Sequence, residues 1–322
     1  MNSDPLVTVG MVIWNSASDL QDCLPALAQQ SYRNLELIVV DNASADESLE
    51  LVATAFPDAR VIRNAVNEGF CRAHNQAIRY SRGEYYLALN PDVTMQPGYV
   101  SALVGALEAR PCCGMAGGKL LLRAKDGQPK SIDSTGLYID RRRRQYLRGH
   151  READCGQYDH DGEVFGLDGA APIYRKAMLD DIEVGGQPFD ESFFAHKEDV
   201  DLAWRARLLG WRAWYVHEAQ AFHRRSFRPG HRKPVASAIR VHAVKNRYLL
   251  LLKNESSCGW RRDWSRILWY DLKILVFLCL FERRSLTAIG MLRREWASAM
   301  KWRRQIQQRS RVDPQQMLGW FR

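Results

Sequence analysis

No two cysteines of this sequence stand at metal-binding or redox spacing. Cys23, Cys71, Cys112, Cys113, Cys155, Cys258 and Cys279 are scattered, and no CxxC occurs among them. An odd, unclustered set speaks against a zinc site or a disulfide framework and fits a reducing compartment. No G-x-G-x-x-G follows the first apolar run, and no G-x-x-x-x-G-K-[ST] occurs anywhere. A dinucleotide fold or a P-loop needs those glycines to bring backbone N–H groups onto phosphate, so both are excluded. The opening MNSDPLV has no basic segment followed by an apolar core, so no secretory leader is expected there. The apolar run "ILVFLCLF" (274–281) is roughly half the ~20 residues a membrane-spanning helix needs. No internal repeat is visible.

What is present is an ordinary globular composition, 46% apolar and 26% charged over 322 residues. That length holds one large α/β domain or one domain with appendages. The net charge of +9 is unevenly placed, with the excess in the C-terminal third. From residue 260 onward arginines alternate with Trp260, Trp264, Trp269, Trp296 and Trp302. Trp beside Arg suits a helix lying in the headgroup layer of an anionic membrane. A helical bundle packed on the rest of the chain explains "VHAVKNRYLLLLKN" equally well. Nucleic acid is not an expected partner, because these segments carry Trp rather than the Ser/Thr/Asn set that positions phosphates.

The first hundred residues alternate strand and helix patterns. "LVTVGMVIW", "LELIVVD", "ARVIRN" and "YYLALN" read as strands. Between them "SDLQDCLPALAQQ" reads as a helix capped by Ser18. "SADESLELVATAF" reads as a helix capped by Ser44, with Glu47 at capping-box spacing, and "FCRAHNQAIRYS" as a third. Such repetition implies an α/β fold with a mostly parallel sheet flanked by helices. The strands end on Asn15, on Asp41-Asn42, on Asn64 and then Asn67, and on Asn90-Pro91-Asp92. Parallel strands place their carboxyl ends on one edge, where open α/β sheets bind ligands. With no phosphate-binding glycine loop, side chains and a metal ion must hold the ligand.

Residues 123–166 are polar and irregular and include Arg141–Arg144, which reads as a solvated loop or as a contact for an anionic acceptor. A second chemical block runs from Phe189 to His223. Its helix opens on Glu198, Asp199 and Asp201 and closes with Arg205 and Arg207, an order that complements the helix dipole. The acids follow Phe193-Phe194 directly, which suggests a carboxylate held against a pocket wall. If Asp92 holds a cation on a diphosphate leaving group, a second carboxylate must take the proton of the attacking hydroxyl, and Asp199 or Glu198 can supply it. His217 or His223 would serve as a further metal ligand.

Together these segments resemble the family 2 glycosyltransferases, inverting enzymes of GT-A fold, and within them the rhamnosyltransferase-like branch. The matching pieces are "VIWNSASDLQDCLPALAQQSY", "LIVVDNASADES", "NEGFCRAHNQAI", "LALNPDV", "GLDGAAPIYRKAM", "FDESFFAHKEDVDLAWRARLLGWR" and "AFH", in the family's order between residues 7 and 223. The resemblance implies a GT-A (Rossmann-like) domain over 1–230, with its nucleotide-binding half near 1–120. A basic, Trp-rich helical extension over 231–322 follows. It implies that Asn15 and Asp41 contact the nucleotide base and ribose, with Asn42 and Ser44 shaping that loop, and that Asn67, Gly69 and Asn75 line the sugar-nucleotide pocket. "NPD" stands for the family's DxD motif, so Asp92 is the implied ligand of Mg²⁺ or Mn²⁺ and Asn90 replaces the first acid. Gly169 and Ala170 fall in the loop that meets donor sugar or acceptor. Asp199 matches the catalytic base with Glu198 beside it, and His223 closes the metal site. The implied donor is dTDP-rhamnose, with a UDP-hexose or UDP-galactofuranose as alternatives. The implied acceptor is a saccharide or lipid-linked saccharide on the cytoplasmic face. A catalytically inert sugar-nucleotide or membrane-binding module is the remaining reading.

Overall fold

The apolar runs fold as strands whose burial follows their composition. A computed structural model describes residues 4–122, 131–225 and 237–322. In the first hundred residues β1 (Val7–Ile13), α1 (Ala17–Ala28), β2 (Leu35–Asp41), α2 (Ser48–Ala55), β3 (Arg60–Arg63), α3 (Phe70–Tyr80) and β4 (Tyr85–Leu89) alternate as expected. β5 (Val93–Met95) and α4 (Tyr99–Glu108) lead to the long β6 (Cys113–Leu122). Among the described residues, 131–175 hold only short strands, β7 (Ser131–Ser134), β8 (Leu137–Ile139), β9 (Gln145–Leu147), β10 (Gly162–Val164) and β11 (Ile173–Arg175). After α5 (Lys176–Ile182) and α6 (Glu198–Leu208), β12 (Arg212–His223) returns to the sheet. The extension comprises α7 (Ser237–Asn254), α8 (Ser257–Phe281), α9 (Thr287–Arg309) and α10 (Pro314–Leu318). The boundary expected at 230/231 lies outside the described residues.

The main sheet runs β10-β12-β6-β11-β4-β1-β2-β3. β3, β2, β1 and β4 are parallel, as are β6 and β12, with β11 antiparallel between β4 and β6. This is the mixed, mostly parallel sheet of the GT-A fold. Because side chains alternate across a strand, Leu87 and Leu89 face the core under α1 and α4, whereas Tyr86 and Ala88 face the core under α3, α5 and α6. The two layers meet closely at Gly10, where a Cβ would lie 1.9 Å from the Tyr86 hydroxyl. That hydroxyl is in turn 2.7 Å from His74 Nδ1.

Three local expectations are corrected. α1 begins at Ala17, and Ser18 does not cap it; Asp46 from the neighbouring loop accepts from Ala17 N (3.0 Å). α2 begins at Ser48, and Ser44 instead receives Asn15 N (3.0 Å). The two loops at the sheet edge thus cap each other's chain, which local spacing could not reveal. In the arginine run, Arg143 is buried and pairs with Glu255 (2.5 Å) and Asp263 (2.9 Å), and Arg141 also reaches Asp263 (2.6 Å). Those two arginines are a seam to α8 and the turn before it, neither a solvated loop nor an open anion contact, while Arg142 and Arg144 are exposed. Their acidic partners stand more than a hundred residues away in the chain.

Candidate active site

The turn at Asn90-Pro91-Asp92 leads straight into β5, and β5 pairs antiparallel with the end of β12, Val93 opposite His223. That pairing brings the two far-separated metal-ligand candidates together: His223 Nε2 lies 3.3 Å from Asp92 Oδ1. On its other side His223 Nδ1 is 2.8 Å from Asp133 Oδ2, on β7. Burial opposes charge on His223, but its hydrogen bonds to Asp133 and Asp92 outweigh that and raise its pKa to about 10. Asp133 is also fully buried; desolvation is outweighed by hydrogen bonds from His150 and His223 and by the Arg225 charge, which hold it well below the usual carboxylate range.

Arg225 carries the polar track onward. Its Nε is 2.5 Å from Asp133 and its other arm is 2.8 Å from Asp168. Asp168 opens the Asp168-Gly169-Ala170 turn, accepting from Ala170 N (3.0 Å), and Asn90 N donates to Ala170 O (2.8 Å). The strand-end turn and this turn are therefore stitched together. Gly169 faces the start of α6, since a Cβ there would stand 3.7 Å from both Asp199 Cβ and Glu198 Oε1. Burial first, and then the nearby Asp168 charge, raise the pKa of Asp199 to about 6. Burial and the Asp199 charge raise that of Glu198 to about 8, and Glu198 Oε2 is buried with no hydrogen-bond partner.

The donor-side candidates cluster on the same sheet edge. Asn15, at φ 49°, accepts from Ala45 N (2.8 Å). Asp41 accepts from Ser44 N (3.0 Å), and buried Asn42 reaches Gly69 O (3.3 Å) and Asn64 (2.8 Å). Asn67 accepts from Gly69 N (2.9 Å), and Gly69 is at φ +83°, a value side-chain-bearing residues rarely adopt. Asn75 is different: its amide is spent on Phe189 N, Phe189 O and Glu191, so it anchors the loop before α6. The alternative histidine, His217, sits instead against Asp161 (2.7 Å), apart from the Asp92 track.

That loop is strained. Phe194, His196 and Lys197, none of them glycine, have φ of 62°, 69° and 71°. Phe194 O accepts from Phe70 N (2.7 Å) at the start of α3, so one turn touches both the donor edge and the helix bearing Asp199. It is held from α7, where buried Asn246 Nδ2 lies 2.7 to 2.9 Å from the carbonyls of Phe193, Ala195 and His196, and Lys245 binds Ser192 O. Of the helix-closing bases, Arg205 is buried on Asp201 (2.8 Å) and on the carbonyls of Ile182 and Pro188, so tertiary contacts and not the dipole alone use its charge. Sequence reasoning missed Asp133, Asp168, Arg225 and Asn246. Asp168 lay inside a recognised segment, and Asn246 was a polar interruption of an apolar helix. Asp133 gave no local signal.

The sheet places acids and amides at the carboxyl ends of its parallel strands, the edge at which open α/β sheets bind ligands. The chain carries a family 2 glycosyltransferase domain: the model of "Glycosyl transferase family 2" matches residues 8–158, just under half of its length. It is 27% identical over 286 residues to an N-acetylglucosaminyl-diphospho-decaprenol L-rhamnosyltransferase of Mycobacterium tuberculosis, covering 80% of this chain and 87% of that one. It is 33% identical over 107 residues to the putative colanic acid biosynthesis glycosyl transferase WcaA of Escherichia coli, 32% of this chain and 38% of that one. Among solved structures, S. aureus TarS 1-349 superposes with a TM-score of 0.58 at 16% identity over 94% of this chain and 89% of that one. GalNAc-T7 with UDP, GalNAc and Mn²⁺ gives 0.60 at 12% identity over 77% of this chain and 48% of that one. At those identities the structures speak to fold alone.

Proposed function

We propose that the chain is an inverting L-rhamnosyltransferase taking dTDP-rhamnose and glycosylating a hydroxyl of a saccharide on a lipid diphosphate. The name of the mycobacterial relative, matched along 87% of its length, supports the transferred sugar and the acceptor class. The observation that carries the chemistry is the polar track joining Asp92–His223 to Asp199 across Asp133, Arg225 and Asp168. Asp199 is the base: a carboxyl with pKa about 6 is ionised at neutral pH yet more basic than an exposed one. It accepts the proton as the acceptor oxygen attacks, a contribution of ~10²–10⁴-fold. Glu198, largely protonated at pH 7, leaves Asp199 as the ionised member of this pair.

Asp92 and His223 fit a divalent cation, which on binding would displace the proton that His223 Nε2 otherwise shares with Asp92. One carboxylate and one imidazole converge, and Asp133 orients the imidazole from behind. Among the described residues no third His, Cys, Asp or Glu joins them. A Mg²⁺ or Mn²⁺ ion there would take its remaining positions from diphosphate and water oxygens, as these hard cations do. When bound, such an ion supplies positive charge for the departing nucleoside diphosphate. Asp41, Asn42 and the Asn67–Gly69 turn bind the nucleotide, and Gly169 and Ala170 leave room for the sugar beside Asp199. With leaving group and base on opposite sides of the anomeric carbon, displacement is in line and inverts.

Thermal-shift titration with dTDP-rhamnose, a UDP-hexose and UDP-galactofuranose in Mn²⁺ tests the donor. The largest stabilisation is expected from dTDP-rhamnose, and the product anomer read by NMR should be inverted. A larger shift from a UDP-sugar would reassign the donor, and a retained anomer would remove Asp199 as base.

A further inference from the structure

α8 carries an apolar surface that water does not favour. Of sixteen large hydrophobic residues exposed among the described residues, twelve lie between 260 and 296. Between Trp264 and Phe281 only Ile267 and Leu278 are buried, while Leu280 is 64% and Phe281 75% exposed. Trp264, Trp269, Leu272 and Leu275 are exposed on the same helix. A surface of this kind on a folded domain marks a partner. The helix is too short in apolar length to cross a membrane, as is every helix among the described residues.

Charge decides between possible partners. Residues 257–309 hold twelve Arg and Lys against four Asp and Glu, nearly the whole excess of the chain. Three of those acids are already engaged inside the protein: Asp263 by Arg143, Asp271 by Arg247 and Glu282 by Arg240. Arg261, Arg266, Lys273, Arg283 and Arg284 are exposed, before, within and after the apolar run. A second copy of the chain would bring two such basic faces together, which like charge opposes. Anionic headgroups would neutralise them, and indole rings beside arginines are the composition of the headgroup layer. A cavity of about 690 Å³ between α7, α8 and α9 is lined by Leu251, Leu252, Leu268, Leu292 and Trp296. Leu268 and Trp296 are exposed, so it opens on this same surface, with apolar walls suited to an acyl chain.

We propose that α8 and α9 form an in-plane docking face for an anionic lipid surface. The apolar run of α8 sits at the acyl boundary, and Arg261, Arg266, Arg283 and Arg284 sit on lipid phosphates. The proposal stands on the surface alone and is independent of which sugar is transferred.

Flotation of the full chain with phosphatidylcholine vesicles, with and without phosphatidylglycerol, tests it. The chain should float with the anionic vesicles, at least about tenfold more weakly with phosphatidylcholine alone, and be released as salt screens the headgroups. Leu275→Glu, Leu280→Glu and Phe281→Glu combined should weaken flotation at least about tenfold while donor binding and melting temperature stay at wild type. If that variant fails to fold, Arg283→Ala with Arg284→Ala should lose binding to the anionic vesicles selectively. Absence of flotation with anionic vesicles, or flotation unchanged in the variants, would overturn the proposal. So would a dimer in sedimentation that the glutamates split, in a protein with no vesicle binding.

Discussion

The two ends of the polar track treat a proton in opposite ways. At the Asp92 end, hydrogen bonds keep His223 positive and Asp133 negative against the cost of burial. At the α6 end, burial and neighbouring acids push Asp199 and Glu198 toward the neutral form. Asp133 is fully buried and Asp199 and Glu198 half-buried, yet Asp133 is the one held ionised, so burial alone does not set their behaviour. The partners do: cationic side chains gather around Asp133, whereas Asp199 has Glu198 and Asp168 beside it. Environments that push titratable groups apart in this way assign the acid and base roles of a site. One end is suited to hold charge on a leaving group and the other to accept a proton.

The largest break in that contrast is Asp199→Asn. It should lower kcat by ~10²–10⁴-fold and remove the acid limb of the pH–rate profile. In the wild type that limb should fall as pH drops through about 6, where the base becomes protonated. Next is Asp133→Asn, which leaves Asp92 and His223 in place but unfixes the imidazole. Calorimetric titration should show Mn²⁺ binding about 10–100-fold weaker. Asn246→Ala removes the amide that holds the Ala195 and His196 carbonyls, while Phe193 O keeps Ala195 N. Hydrogen exchange over 194–197 should quicken and kcat should drop about tenfold, the equivalent of one lost buried hydrogen bond.

The smallest effect sharpens the proton account at Glu198. Its folded pKa, about 8, lies above its ordinary 4.5. The fold binds this proton more tightly than the unfolded chain, so the contribution to stability is complete below about 4.5 and is lost as pH rises through about 8. Glu198→Gln should therefore flatten the decline of melting temperature between those values. An unchanged pH dependence in the variant would place the proton elsewhere.

Much of this arrangement was legible because it is local or periodic. Apolar runs bounded by Asn and Asp marked the parallel strands and their shared edge, and the acids after Phe193-Phe194 marked the start of α6. What remained hidden depends on contacts between distant segments. Asp133 matters because β7 lies behind His223, ninety residues away, and nothing around "SIDS" signals it. Arg143 and Asp263 are similarly invisible as a pair. The helix caps failed for the same reason, since Asp46 serves α1 from another loop. A spacing rule sees only the chain's own neighbourhood. Asn75, expected to line the sugar-nucleotide pocket, has its amide on Phe189 and Glu191 in a loop that local spacing could not position.

The most direct test titrates the nucleotide sugar, with and without Mn²⁺, onto wild type, Asp92→Ala and Asp199→Asn, and measures turnover in the same samples. Wild type and Asp199→Asn should bind the donor more tightly with Mn²⁺, with Asp199→Asn failing to turn it over, and Asp92→Ala should bind it equally weakly in both conditions. Wild-type turnover by Asp199→Asn, or donor affinity in the wild type that ignores Mn²⁺, would contradict the division of labour between the two ends.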